Sequence, residues 1–238
     1  SLALNIPLID VNHMQGHVMA HFIDEGKKMP TFPFLCLTVS GGHTQIVLIK
    51  GYLEMEVIGE TLDDAAGEAF DKSAKILGLE YPGGPLIDKY AKQGNPETFK
   101  FTKPHVGDIE FSFSGLKSNI LQVIQRESKK NPDFIQDNFY DLCASIQHTI
   151  ISILLEKIDN AVKKTGITQI AIAGGVSANS GLRDALLERE HTHKWCVFIP
   201  KFEYCTDNAA MIAISGYYKF QDKQFANSSV SANARMKL

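Results

Sequence analysis

Two histidines four residues apart, in the run Val11-Asn12-His13-Met14-Gln15-Gly16-His17, directly follow an apolar stretch and constrain the fold more than any other feature. If Asn12 caps a helix there, both imidazoles share one face, about 6 Å apart along the axis at ~1.5 Å per residue, close enough to grip one metal ion. His21 extends that face but lies ~12 Å from His13 along the axis, so it reads as a surface or supporting residue. A third ligand must come from far away in the chain, and the fold has to carry it to this helix. Such a spacing also arises by chance where eight histidines are spread over 238 residues, so the pair alone decides nothing.

A chain of this length makes one or two domains, at roughly 100–200 residues each, with room for a substantial core. Its formal net charge of -3 exerts no overall pull on nucleic acid, so RNA contact would need a local basic patch. Cys36, Cys143, Cys196 and Cys205 form no Cys-x-x-Cys pair, and three of them sit in apolar runs. Reduced, buried thiols of a cytoplasmic protein are the reading, disulfides the alternative. No apolar run approaches the ~18 residues of a membrane span and no leader precedes the fold, so no membrane partner is expected. The opening Ser1-Leu2-Ala3-Leu4-Asn5 lacks an initiating Met and reads as the last turn of a helix already under way, as in a piece of a longer protein.

Residues 6–11 are too continuously apolar for a half-exposed strand and are expected to be a buried one feeding the histidine helix. Residues 34–39 and 45–49 read as strands joined through Ser40-Gly41-Gly42-His43-Thr44. The glycines of that turn leave backbone N–H groups open to a phosphate or carbonyl, unless it is a plain tight turn. Residues 61–78 read as a helix capped by Thr61 and stopped by Gly78. Leu62, Ala66, Ala69, Phe70, Ala74 and Leu77 make its core face, and Asp64, Glu68 and Asp71 an acidic stripe for which a solvated face is the usual explanation. Tyr81-Pro82-Gly83-Gly84-Pro85 then turns into a short helix over 86–93.

Phe99-Lys100-Phe101-Thr102-Lys103-Pro104-His105 interleaves bases and aromatics in a way that could meet an RNA backbone, or is simply loop. A strand over 109–113 passes through Ser114-Gly115 into a helix ending near Lys130, and 139–164 is a long helix without visible chemistry. The last third is α/β: strand 169–173, loop Gly174-Gly175-Val176-Ser177-Ala178-Asn179, helix to about 190, strand 195–199. A glycine loop between strand and helix leaves room for a nucleotide at a positive helix end. Cys205-Thr206-Asp207-Asn208-Ala209-Ala210-Met211 opens an apolar helix through 218, where Asp207 is a cap or something more, and the polar tail from 221 is expected to fray.

Taken in order, His13-x-x-x-His17, Ser40-Gly41-Gly42-His43-Thr44, residues 59–72, Tyr81-Pro82-Gly83-Gly84-Pro85, Phe113-Ser114-Gly115-Leu116-Lys117, residues 174–179 and residues 206–211 resemble the TsaD family, also called Gcp or YgjD. The resemblance implies an α/β chain with the actin-like ATPase fold of ribonuclease-H-like lobes, here largely the C-terminal lobe with a remnant of the N-terminal one. Residues 1–30 would be that remnant with the metal-binding helix, 31–205 the C-terminal lobe, and 206–238 a closing helix and tail. Members of the family transfer a threonylcarbamoyl group from threonylcarbamoyl-adenylate to the adenosine beside the tRNA anticodon. The implied ligands of one divalent metal ion, iron or zinc, are His13, His17 and Asp207. The implied positions for an adenine nucleotide, threonylcarbamoyl-adenylate or ATP, are Thr38, Val39, Ser40, Gly41, Gly42, Asp71, Gly84, Asp88 and Asn179. Asp71 and Asp88 would accept from ribose hydroxyls, the Gly175 to Asn179 loop would flank the adenine, and no covalent protein nucleophile is needed. Implied partners are tRNA, with a TsaB-like paralogue and a TsaE-like ATPase in the full-length bacterial complex, and for this chain a homo-oligomer.

Two departures from the family pattern matter. Position 15 is Gln where the family usually has Glu, a mild change because that residue is not a ligand. The glycine-rich first strand-turn and most of the N-terminal lobe, roughly a quarter to a third of the protein, are not in this sequence. A strand at 6–11 without that lobe's neighbours is a liability. Residues 1 to about 30 are therefore expected to be mobile, rearranged or paired with a second copy, with the metal ligands poorly placed and the chain inactive alone. A metalloprotease would carry Glu directly after its first His, and Met14 stands there. An actin-like sugar kinase and a non-catalytic relative remain as rivals, and the helical histidine pair favours the transferase.

Overall fold

β1 (Phe34–Val39) is buried at every position, as a strand is when both its faces and both its edges are covered. It pairs antiparallel with β2 (Thr44–Ile49), which continues antiparallel into β3 (Met55–Glu60). On its other edge it runs parallel to β4 (Gln169–Ala173), and β4 to β5 (Cys196–Phe198), giving the five-stranded order β3-β2-β1-β4-β5. The computed structural model describes all residues except 1–3, 5, 24, 25, 27, 228, 234, 235 and 237.

Alternation along the strands sorts side chains to two layers. Leu35, Leu37, Ile46, Ile170 and Ile172 face a large core closed by α2 (Ala66–Ile76), α3 (Gly83–Ala91), α4 (Ser114–Ser128), α5 (Phe134–Asp137), α6 (Phe139–Thr165) and α7 (Ser180–His193). Phe34, Cys36, Val47, Ala171 and Ala173 face a smaller core on the opposite side. There α1 (His13–Met19), the turn Ala20–Phe22 and α8 (Ala209–Gln221) lie over the sheet. The short Ala171 and Ala173 let these helices come close, and α1 meets α8 at Gly16, where a Cβ would touch Met211 and Ile212 at 3.4 Å.

Several expected elements take another form. Residues 6–11 are not a strand of the sheet: they make one isolated bridge, Leu8 to Ala226, and Ile6 and Leu8 are exposed. Apolar character alone does not make a strand where no sheet edge is offered to it. Their α1 neighbour is nonetheless formed and seated on α8. The reading of Ser1 to Asn5 as the end of a helix falls, Leu4 apart, outside the described residues. Thr61 does not cap α2, which begins five residues later; Thr61 instead bridges Phe111, and Leu62, expected in the core, is 65% exposed. The start of α2 is set by Thr44, whose Oγ1 accepts from the Ala66 N–H at 2.8 Å. Residues 109–113 carry only that one bridge rather than a strand, because Phe111 and Phe113 plug the core. β3 was not apparent in the sequence. Phe101 is buried and the half-buried Phe99 packs edge-on against Phe134, so both aromatics of the 99–105 stretch are drawn toward the core. Among the described residues no helix is long and apolar enough to cross a membrane, and all four cysteines are free.

Candidate metal and nucleotide site

α1 starts where Asn12 turns its side-chain oxygen onto the Gln15 N–H at 3.1 Å. That places His13 and His17 one turn apart, their rings perpendicular with centroids 4.9 Å apart. The cap of α8 is Asn208, whose Oδ1 accepts from the Met211 N–H at 2.8 Å, so Asp207 is not spent on capping. Asp207 Oδ1 lies 3.2 Å from Nε2 of His13 and 3.2 Å from Nε2 of His17. The expected misplacement of these residues is not found: α8, rather than a strand at 6–11, holds the histidine helix.

The trio fits a transition-metal ion. Ligands bound at ~2.1 Å to one ion stand about 3.0–3.4 Å from each other, and all three donor atoms here lie within 4.8 Å. His17 is 3% exposed, and its burial, reinforced by the nearby His13, pushes its imidazole below the ordinary histidine value despite the pull of Asp207. A neutral imidazole is the form that binds metal. Among the described residues its Nδ1 is buried without a hydrogen-bond partner, so packing and the Asp207 contact at Nε2 orient the ring. His21 is not among the clustered ligand atoms and supports the fold from a half-buried position: Nε2 donates to the Ile172 carbonyl of β4 at 2.9 Å, and burial pushes its imidazole down to about 4.

From the trio a cavity of about 810 Å³ runs between the Ser40 turn, the start of α3 and the loop before α7. The Ser40 N–H donates to the His43 carbonyl at 2.8 Å, and the His43 N–H donates to Ser40 Oγ at 3.1 Å. Two glycines press on this turn from behind. A Cβ on Gly67 would stand 2.5 Å from the Ser40 carbonyl oxygen, and one on Gly174, at φ +87°, 2.5 Å from that of Val39.

Of the expected nucleotide positions, Ser40, Gly41, Gly42, Asp71, Gly84, Asp88 and Asn179 come together on the cavity wall. Thr38 and Val39 do not: their side chains are buried within β1. The two acids are already engaged. Asp71 Oδ1 accepts from the N–H groups of Gly83 (2.8 Å) and Gly84 (3.1 Å), and Asp88 accepts from Ser180 Oγ at 2.7 Å and the Ser180 N–H at 3.1 Å. Asn179 caps α7 through Leu182 (2.9 Å) and donates to Gln147 Oε1 (2.8 Å). These side chains fix the walls as well as facing the ligand space. The acidic stripe therefore divides, for Asp64 and Glu68 both pair with Lys72 at 2.6 and 2.7 Å.

Met14, His43 and Tyr81 also line the cavity and were not singled out, although His43 and Tyr81 stand inside stretches whose glycines drew attention. Asp63 was missed as well. It accepts from Ser112, Phe113 and Ser114 and so sets the start of α4; burial works to raise its carboxyl, but these hydrogen bonds outweigh it and hold it below the usual range.

A mixed sheet of this order, with a glycine turn between its first two strands facing a strand-loop-helix across a nucleotide-sized cavity, defines an actin-like ATPase fold. Full-length HypF, in its phosphate- and nucleotide-bound form, shares that fold with a TM-score of 0.66 at 12% identity, over 97% of this chain and 38% of HypF. In sequence, the tRNA N6-adenosine threonylcarbamoyltransferase of Christiangramia forsetii is 63% identical over 238 residues, all of this chain and 70% of that protein. Its counterpart from Cytophaga hutchinsonii is 54% identical over 236 residues, 99% of this chain and 68% of that protein. Residues 1–214 match the family described as TsaD: tRNA N6-adenosine threonylcarbamoyltransferase. The chain belongs to that family.

Proposed function

We propose that this cavity is the site at which a threonylcarbamoyl group passes from threonylcarbamoyl-adenylate to the N6 amine of the tRNA adenosine beside the anticodon. The observation that carries the reading is the opening of the His13, His17 and Asp207 trio into the same cavity as the glycine turn and the Gly175 to Asn179 loop. Adenine lies against that loop, the ribose near Asp71 and Asp88, and the phosphate end against Gly41 and Gly42, where no Cβ stands in its way.

Two imidazoles and a carboxylate suit iron and zinc alike. A divalent ion held there supplies Lewis-acid stabilisation of charge on the leaving phosphate or attacked carbonyl. The chain's own residues bind and orient. His17 stays neutral and ready to ligate, Asp71 holds the Gly83 turn, Asn179 and Asp88 hold the start of α7, and the incoming amine is the nucleophile. Beyond tRNA, a TsaB-like paralogue and a TsaE-like ATPase are the partners we assign to it, in a cytoplasmic setting.

Metal analysis and nucleotide titration of purified protein test the reading. Asp207→Ala should lose most bound iron or zinc with its circular dichroism unchanged, since Asp207 is 76% exposed and holds no core. Full metal content in that variant, or ADP that fails to bind the wild type, would remove the assignment.

A further inference from the structure

Arg183, on the first turn of α7, touches both halves of the site without facing its ligands. Its Nε donates to the Ser177 carbonyl at 2.7 Å, on the loop that forms one wall of the cavity. Its Nη2 donates to the Pro200 carbonyl at 2.9 Å and to Cys205 Sγ at 3.1 Å, on the segment that ends in Asp207. The face of the guanidinium lies against the Phe202 ring, 3.9 Å from its centroid.

That segment lies mostly at the surface, and its backbone bonds from Tyr204 to Lys201 and from Cys205 to Phe202 are local turns of its own. Between residues 201 and 207 only Cys205 is fully buried, and Phe202 is 65% exposed. Asp207 has to stay within 3.2 Å of two histidines that belong to another helix. One planar side chain with fixed donor directions spans the gap between the nucleotide wall and the metal carboxylate, which a lysine, with one flexible ammonium, could not do.

We infer that Arg183 is a positioning residue for both sites: it holds the Gly174 to Asn179 loop and the Asp207 segment in register, so that metal and adenine nucleotide are bound by one rigid wall. This rests on the proposed assignment of metal and nucleotide to the cavity. It predicts that one substitution outside the ligand shell weakens two chemically unrelated ligands together.

The probes are Co(II), followed by its visible absorption, and adenosine, which has no phosphate to reach the metal. Arg183→Lys should weaken each by about tenfold to a hundredfold, the usual effect of losing a group that orients a ligand, and should change the shape of the Co(II) band. Arg189→Ala, which breaks the 3.0 Å ion pair to Asp159 elsewhere on α7, should leave both affinities and the band unaltered. Cys205→Ala removes one of the two Arg183 contacts on the Asp207 side, together with the Cys205 Sγ bond to the Lys201 carbonyl, and should weaken Co(II) while adenosine binds as before. Arg183→Lys binding both probes within twofold of wild type, or Cys205→Ala binding Co(II) normally, overturns the inference and leaves the proposed function standing. A wild-type protein that binds neither probe removes the proposed function, and this inference with it.

Discussion

His21 shows how much a single side chain depends on what it packs against. Its Nε2 must carry the hydrogen, since the Ile172 carbonyl only accepts, and burial lowers its pKa from 6.5 to about 4. Between those values the unfolded chain takes up a proton and the folded chain does not, so stability falls as pH drops from about 6.5 toward 4. The slope is at most ~1.4 kcal/mol per pH unit from this residue. His21→Asn, which can still donate to the carbonyl, should flatten the fall, leaving the smaller contribution of His17, which is lowered in the same direction. Urea unfolding at pH 7, 6 and 5 checks it, and equal slopes in variant and wild type would show that His21 protonates freely in the folded state. None of this was visible in the sequence, where His21 is one more residue on the histidine face; its neighbour across the sheet lies 151 positions away. Asp71 and Asp88 were visible as acceptors, but the sequence does not say that backbone N–H groups already occupy them.

At the scale of elements, legibility followed the range of the forces that shape each one. The 34–49 hairpin, the strand-loop-helix from 169 and the long α6 are written in local periodicity, glycine placement and stop signals, and the structure has them within a few residues. The Thr61 cap and the 109–113 strand were misread because distant residues decide both stretches. Thr44 fixes where α2 begins, and Asp63 folds residues 112–114 onto itself through hydrogen bonds of 2.5, 2.8 and 3.3 Å. Asp63 is in effect a cap supplied from fifty residues away. Asp63→Ala should therefore cost about 2–3 kcal/mol, the loss of charge-assisted hydrogen bonds with partly buried donors left unpaired. Asp63→Asn, which keeps an acceptor, should recover part of that. Chemical denaturation of the two variants is the measurement, and a cost below about 0.5 kcal/mol for Asp63→Ala would mean that Phe111 and Phe113 anchor this segment unaided.

For the whole molecule the decisive contact joins the two ends of the sequence. α1 and α8 lie side by side on the smaller core, tied by the crossing at Gly16 and by the Asp10 to Lys219 ion pair at 2.9 Å, with the Leu8 to Ala226 bridge beside them. His13, His17 and Asp207 add a tie only when something bridges them, since in its absence two imidazoles merely flank an exposed carboxylate. A metal ion that binds the folded chain and not the unfolded one stabilises by mass action, about 2.7 kcal/mol at a hundredfold excess over its dissociation constant. For a domain of this size each kcal/mol moves the melting temperature by ~2–4 °C, so saturating Zn(II) should raise it by roughly 5–10 °C. Removing His17, the one buried member of the trio, takes away the ligand whose geometry is best fixed. His17→Ala should therefore melt at the same temperature with and without Zn(II), whatever its own starting stability. An equal rise in that variant would place the stabilising ion elsewhere on the surface and leave the two ends of the chain joined by the Gly16 crossing, the Asp10 to Lys219 pair and the Leu8 to Ala226 bridge.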